Sequence, residues 1–584
     1  DWSSDVCSSD LVMYSNVSGG SNIAMGYQTL GSNVSGSNNV AIGDSALTLN
    51  TASQNTAVGY QALQSNTTGN YNTSLGMTSL YSNTSGEYNV ALGKNALYLN
   101  TSGGSNVGVG YYTNFANSTG SGNVAIGYTS LAANVTSNNT AVGYSAAYSN
   151  TSGNITAIGY QAGYYNTTGT QITAIGWSSL FYNTGSYNTA IGYASQRLTT
   201  TGTSNVSVGS GSMQNNTTGS GNSALGESTL DKNTTGSNNV GFGAYAGGNN
   251  TTGSNNTAIG TTALLYNTAS NNTAVGYQAG YNNTSGINLT ALGYQALYNN
   301  TTGTNNTANG RGALYSNSTG TNNNAIGVVA LQNNTTGSYN TANGAFALAS
   351  NTTGSQNTGI GYAALNYTTG GANTGVGYSS MSSNTTGQEN TAMGSRVLLS
   401  NTTGNQNSAF GGLALYQNST GSRNTAMGYF SLFNNTNSNN TAIGYYALYN
   451  NNANYNTAVG YNSGITLVSG ENNVIIGDSA NVVGGGVVET TIVGSNSTAS
   501  NRSAVLGAYA VGNESSVVLG HGASAGAGTN SVVIGRGAAS TATNQFVVGS
   551  AAYNAGSVTT ESVVSDTTWS VRINGTAYKI LLKA

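Results

Sequence analysis

The sequence predicts an all-β chain wound as a parallel β-roll or β-solenoid, and three observations carry that expectation. First, a glycine that ends a short strand-like run returns at Gly26, Gly43, Gly59, Gly76, Gly93 and Gly110, and onward through Gly293 to Gly477. That makes 27 steps over 451 residues, about 17 residues per step. Second, the pattern has no helical spacing anywhere, and a fixed period this short marks one turn of a stacked coil that cannot bury its apolar face alone. Third, each position within the repeat has its own tolerance, as expected of an ordered frame.

Within the unit, as in Asn288 to Gly303 (NLTALGYQALYNNTTG), the residue before the glycine is apolar in nearly every turn: Met25, Ile42, Val58, Leu75, Leu92, Val109. Asn309 and Asn343 are the exceptions. This reads as the core position, worth roughly 1.5–3 kcal/mol per side chain if buried. Two residues before the glycine sits Ala, Ser or Gly (Ala57, Ser74, Ala91, Gly108), and three before, mostly Thr or Val. Strand alternation puts the first and third of these on one face and the small residue on the other. A face kept small predicts close approach of another backbone, and from it a homotrimer is expected. The slot after the glycine holds Tyr most often, yet also Asp44, Lys94, Glu227, Arg311, Asp478, His521 or Arg536. A slot that takes either charge faces solvent, so the glycine is read as a corner.

The array suggests divisions at 12–468, a roll of 17-residue turns, and at 469–549, where steps fall to 13–15 residues. In the latter the small position becomes Val505, Val518, Val533 and Val547. Residues 550–584 hold Trp569 to Leu582, read as a hairpin on an Asn574-Gly575 type I′ turn that caps the roll. It would oppose Val571 to Tyr578 and Trp569 to Ile580. Residues 1–11 (DWSSDVCSSDL) resemble a translated sequencing-adapter remnant and are set apart from the fold. Any signal peptide or assembly segment would then lie upstream of residue 12. With 33 corners at roughly 4.8 Å per layer, one continuous rod on the order of 150 Å is expected.

Composition narrows the function. Charged residues make up 4%, proline is absent, Gly numbers 84 and the net charge is −3. No basic patch is present to attract nucleic acid, and no apolar run could span a membrane as a helix. The 39 tyrosines on a repeating frame argue against disorder. Cys7, the sole cysteine, lies in the remnant, so no disulfide is expected.

NNVAIG, SNNTAIG and especially NSVVIG (Asn530 to Gly535) resemble the head repeats of trimeric autotransporter adhesins of the YadA type. The likeness is close over Gly477 to Gly549 and looser over the 17-residue array. It implies a left-handed β-roll assembled as trimers that stick to host matrix or other surfaces. No heptad stalk follows, and amphipathic anchor strands are missing from the C-terminal part. The ending NQFVVGS with WSVRINGTAYKILLKA is similar to the C-termini of predicted tail-fibre proteins of uncultured phages, which implies a phage or secreted fibre.

No catalytic constellation is expected. Glu227, Asp231 and Lys232 form the densest charged group of the array, but Ser210 and Ala244 stand where a partner carboxylate would be needed. His521 has no second ligand, so no metal or cofactor is expected. The G-x-G pairs, such as Gly241 and Gly243, lack a following helix and read as structural. Asn-x-Thr triplets such as Asn66-Thr67-Thr68 and Asn300-Thr301-Thr302 read as turn residues and stacked ladders rather than glycosylation acceptors. The binding candidates are the tyrosines after the corner: Tyr60, Tyr144, Tyr160, Tyr277, Tyr294, Tyr445 and Tyr461. Tyr offers stiff contact area with a polar tip. Edge protection of the roll is the equal alternative.

Three function classes follow. The first is an extracellular, cell-surface or virion-tail fibre that binds a cell-surface glycan or protein. The second is a purely structural spacer. The third, an ice-binding solenoid, would need regular outward T-x-T strands, which the sequence lacks.

Overall fold

The computed structural model describes residues 6–8, 12–549, 568–573 and 576–581, with side chains from 12 to 549. No helix occurs among the described residues. Every turn of the 17-residue array contributes one short strand ending at the corner glycine, as in Thr56–Val58 or Thr290–Leu292. Within each stretch of the array, strands of successive turns pair in parallel and in register, as where Thr56 lies opposite Thr73, Ala57 opposite Ser74 and Val58 opposite Leu75. The predicted parallel β-solenoid of about 17-residue turns is therefore the observed fold.

The chain divides into two compact units, Asp1–Glu389 and Asn390–Ala584. The first stacks strands from Val6–Ser8 to Thr374–Val376, which at about 4.8 Å per layer amounts to roughly 105 Å. Val6–Ser8 pairs with Ile23–Met25, one repeat before it, so these three residues of the adapter-like segment continue the sheet. The second unit stacks strands from Thr391–Met393 to Phe546–Val548. It adds a second parallel sheet of Asn481–Val482, Thr498–Ala499 and Val511–Gly512, and an antiparallel hairpin of Thr568–Ile573 with Thr576–Leu581. The hairpin register is the expected one, Val571 opposite Tyr578 and Trp569 opposite Ile580. Asn574 and Gly575, the expected turn, and the expected cap contacts lie outside the described residues.

The corner glycines behave as anticipated. Gly59 has φ +135°, and a Cβ there would lie 2.6 Å from the carbonyl oxygen of Gly76 in the next layer. Backbone dihedral and layer spacing thus both exclude a side chain.

One expectation is inverted. The residue before the glycine is not the core position: Met25 is 48% exposed, Leu75 45% and Ile126 38%. The small residue points inward instead, and Ala41, Ala57 and Ala91 are fully buried. The space they face is filled by the second apolar run, Leu47, Leu63, Leu80 and Leu97, also fully buried. A Cβ built on Gly108 would sit 3.3 Å from Leu97 Cγ, and one on Gly375 would sit 3.1 Å from Leu365 Cγ. The small face therefore accommodates a leucine of its own coil, not a neighbouring chain. Asn309 and Asn343 follow: both are exposed and need no buried partners.

These leucines carry an unusual backbone. Leu63, Leu80 and Leu97 have φ between 50° and 55°, left-handed for a residue that pays roughly 1–2 kcal/mol there. Gly163, Gly247 and Gly280 take the same place with φ near 60°. Burial of the leucine offsets the backbone cost.

Two asparagine ladders line the remaining interior. Asn83 Nδ2 donates to Asn66 Oδ1 (2.8 Å) and to the Gly86 carbonyl (3.0 Å), and Asn100 Nδ2 repeats the step onto Asn83 Oδ1 at 2.8 Å. On the other side, Asn72 accepts the backbone N–H of Asn89 at 3.0 Å and donates to the Gly86 carbonyl at 2.8 Å. Both amide hydrogens and the oxygen are thus engaged, which is what lets a polar side chain be fully buried.

In the short turns of the second unit the core is redistributed. Ile475, Ile492, Val505, Val518 and Val533 now fill the small position and are fully buried, while Ala480, Ala510, Ala523 and Ala538 stand opposite. Volume lost with the leucine is returned from the strand, so the thin core stays filled.

Candidate functional site

Three outward surfaces remain once the interior is assigned. The first is the aromatic rank after the corner glycine. All seven sequence candidates lie on it and face solvent; Tyr60 is 51% exposed and Tyr294 50%. The layer spacing brings their rings into stacks. Tyr144 lies between Tyr128 (5.0 Å between centroids) and Tyr160 (5.3 Å), and Tyr160 lies between Tyr144 and Trp177 (5.9 Å), all within 12° of parallel. Tyr277 stacks on Tyr294 at 5.5 Å, and Tyr445 on Tyr429 and Tyr461 at 5.9 and 5.5 Å. Tyr60 stands between Asp44 and Met77 in the rank, with no ring stacked on it. The inner rings therefore present edges and hydroxyls, because neighbours cover both faces.

A second aromatic rank, four residues further on, was missed from sequence. It includes Tyr81, Tyr98 and Phe115, Tyr148, Tyr164 and Phe181, and Tyr281, Tyr298 and Tyr315, stacked at 5.0–5.2 Å. The repeat of aromatics five residues after the glycine was the available signal. Burial among these rings pushes the Tyr164 and Tyr298 phenols above their ordinary value, with neighbouring tyrosines adding to the shift.

The second surface is the outer face of the strands, ranks of Thr or Val beside Val, Ile, Leu or Met. It is exposed and uncharged, mixing Thr with aliphatic side chains, and is most apolar where Val206, Leu225, Val240 and Phe242, each more than 40% accessible, flank an open hollow of about 280 Å³. No charged residue occupies either rank in any of the described strands from Ile23–Met25 to Phe546–Val548. T-x-T does not occur there either.

The third surface runs over the Asn-Thr loops. In the first unit it opens into a groove of about 490 Å³ lined by Asn249, Tyr266, Thr268, Asn282, Thr284, Asn299 and Thr301. The sequence reads these loops as structural. The inner asparagines of the triplets are so: Asn66 and Asn300 are fully buried and doubly hydrogen-bonded, which leaves their amides closed to glycosylation in the folded chain.

The charged candidates are not brought into a catalytic arrangement. Glu227 is exposed, and Asp231 Oδ1 accepts from Asn215 Nδ2 at 3.2 Å. Burial raises the Asp231 carboxyl, with Lys232 and Asn215 opposing the shift. His521 is exposed with its ring 5.5 Å from that of Tyr509. No group of three or more potential metal ligands occurs among the described residues, and no helix there is long and apolar enough to cross a membrane. No protein-family profile matches the chain, and no curated protein sequence matches it either.

Proposed function

We propose that the protein is a surface-attachment fibre, an adhesin or phage tail fibre, that works outside the cell as a homotrimer and acts by binding rather than catalysis. The outer strand face supports this reading. It is exposed and carries aliphatic side chains, Thr and an occasional Asn, yet never a charge, while the slot after the glycine in the same turns accepts Asp44, Lys94, Glu227 and Arg311. Solvent exposure alone would admit charge at both places, so the strand face has a cover.

A second copy of this chain fits as that cover. The first unit's face is about 105 Å long and three residues, roughly 10 Å, wide. That gives on the order of 1,000 Å² per copy, above the ~800 Å² per partner of a standard interface. Three such faces around an axis would leave the tyrosine ranks outward for attachment to a glycan or protein, as the adhesin-head resemblance implies.

Sedimentation of the full chain at micromolar concentration tests the assembly. A trimer is expected, and a monomer from Ile259→Asp with Leu292→Asp, both on the outer face. A stable wild-type monomer would overturn the trimer, and thermal hysteresis by that monomer would redirect the face to ice. One observation favours a plain spacer as the second reading: the inner tyrosine rings have no free face. Retention of the full chain on whole cells separates the two.

A further inference from the structure

We infer that the groove between Asn249 and Thr301 is a binding site for a neutral oligosaccharide of two or three sugar units. This rests on the attachment reading and gives it an address. The groove crosses four layers, Asn249, Tyr266, Asn282 and Asn299, about 14 Å at the layer spacing. Its volume of about 490 Å³ is in the range of small-ligand sites.

The lining supplies what a polyol needs. Asn282 Nδ2 donates to Asn299 Oδ1 at 3.0 Å, which fixes both amides. Asn282 Oδ1 is left as an acceptor and Asn299 Nδ2 as a donor, neither with a partner among the described residues. Beside them, Thr268, Thr284 and Thr301 each donate their hydroxyl to the backbone carbonyl of the next layer at 2.8–2.9 Å. Their hydrogens are committed and their lone pairs are not, so they form a rigid row of acceptors.

Tyr266 supplies the apolar wall. The layers on either side carry Asn249 and Asn282 at its position, so no ring stacks on it from that rank. Its plane is turned 85° from Tyr281, whose ring is 5.3 Å away and belongs to the stacked ladder. Tyr266 is 44% exposed, and its free ring surface suits the C–H face of a sugar.

Other ligand classes fit worse. An extended peptide would need unpaired backbone groups, but Asn282 N–H is bonded to Tyr298 O (2.9 Å), Thr284 N–H to Thr301 O (3.0 Å) and Asn299 N–H to Tyr315 O (2.9 Å). No ionisable carboxylate, amine or guanidinium lines the groove, and the nearest in that rank is Lys232, one layer beyond Asn249. An ionic ligand would therefore go unpaired.

The test is saturation-transfer NMR and calorimetric titration of the full chain with maltotriose, cellotriose and triacetylchitotriose. At least one should bind, and Tyr266→Asn and Asn299→Ser should each weaken it tenfold or more. Both variants install residues that neighbouring layers already carry in this rank (Asn282, Ser316), so the fold is kept. Tyr339→Ser, outside the groove and in neither tyrosine rank, at a place where other turns carry Ser105 and Ser204, should leave binding unchanged. The inference is overturned if none of the three sugars binds, or if both groove variants bind as the wild type does. Whole-cell retention separates this from the broader reading. Retention that persists without trisaccharide binding removes the groove and spares attachment. Trisaccharide binding without retention removes attachment and spares the groove.

Discussion

Placing a carboxylate at each of two adjacent positions should separate inside from outside. Ala258 is 1% exposed, on the inward rank of its strand. In Ala258→Asp the group must either stay ionised without a partner or protonate. Fully buried carboxylates shift by about 3–5 pH units, enough to keep the group protonated near pH 7, and protonating it there costs roughly 4 kcal/mol at 1.36 kcal/mol per unit. Added bulk in the filled interior costs about 1–3 kcal/mol more. Ile259, one residue on, points outward and is half-exposed, so Ile259→Asp forfeits part of one apolar contact, about 1 kcal/mol or less. The assay is amide hydrogen exchange across the neighbouring strands Val240–Phe242 and Thr273–Val275, with the chain dilute enough to be a single copy. Ala258→Asp should open these strands at pH 7 and recover in part at pH 4, while Ile259→Asp should leave them protected. Equal loss of protection in the two variants would refute the inward assignment of the small residue.

Four further outcomes are expected. Gln196 is fully buried where other turns carry leucine, and its Oε1 has no partner although Nε2 bonds the Thr189 carbonyl (2.9 Å) and Ser207 Oγ (3.0 Å); Gln196→Leu, which leaves Ser207 Oγ its bond to Ser195 Oγ, should raise local protection by about 1–3 kcal/mol in hydrogen exchange. Asn300→Ala takes the donor from the Gly303 carbonyl and from Asn283 Oδ1 and the acceptor from one Asn317 amide hydrogen, and should cost about 2–5 kcal/mol by the same measurement. The folded Asp231 carboxyl titrates above its ordinary value, so its contribution is complete below the ordinary carboxylate range and falls as pH rises through the folded value. A melting curve of Asp231→Asn should thus match or exceed the wild type at pH 7 and lose that part of the acid dependence. The raised phenols of Tyr164 and Tyr298 carry the same sign, so melting temperature should drop as pH climbs past 10 while phenolate absorbance lags that of free tyrosine.

Period, parallel stacking, corner glycines, hairpin register and asparagine ladders were all legible, because each is a local rule repeated in every turn. The direction of the strand face was not. Alternation separates Ala57 from Thr56 and Val58 but does not say which side is in. Hydrophobicity pointed to valine, and the deciding quantity was the reach of Leu63 from the opposite wall, a distance no single strand contains. The aromatic candidates face solvent as their tolerance of charge implies, yet their stacking depends on layer spacing, so loss of their free faces shows only in three dimensions. The groove escaped for a similar reason. Tyr266, Asn282 and Asn299 belong to three different turns, and their shared rank is offset from the corner by a run that looks like ordinary loop.

The two faces of a strand are held to different rules, and the difference bears on what the outer face does. The inner rank is limited by size: Ala, Ser or Gly in the 17-residue turns, and Ile or Val in the second unit from Ile475 on, as at Ile475 and Val505. The outer rank beside the glycine is indifferent to size, since Val58, Met25, Phe242 and Asn309 all occur there, but it excludes charge. Packing within one coil cannot impose that exclusion, because these side chains touch water in a single copy. Water cannot impose it either, because the adjoining slot carries Lys94 and Arg311 at no evident cost. An apolar cover that tolerates a change of shape but not a charge would impose it. Val275→Lys should then dissociate the assembly in sedimentation while leaving hydrogen exchange of the separated chain intact, whereas Tyr277→Lys, two residues on, should change neither. Loss of assembly in both variants, or in neither, would detach the uncharged rank from self-association.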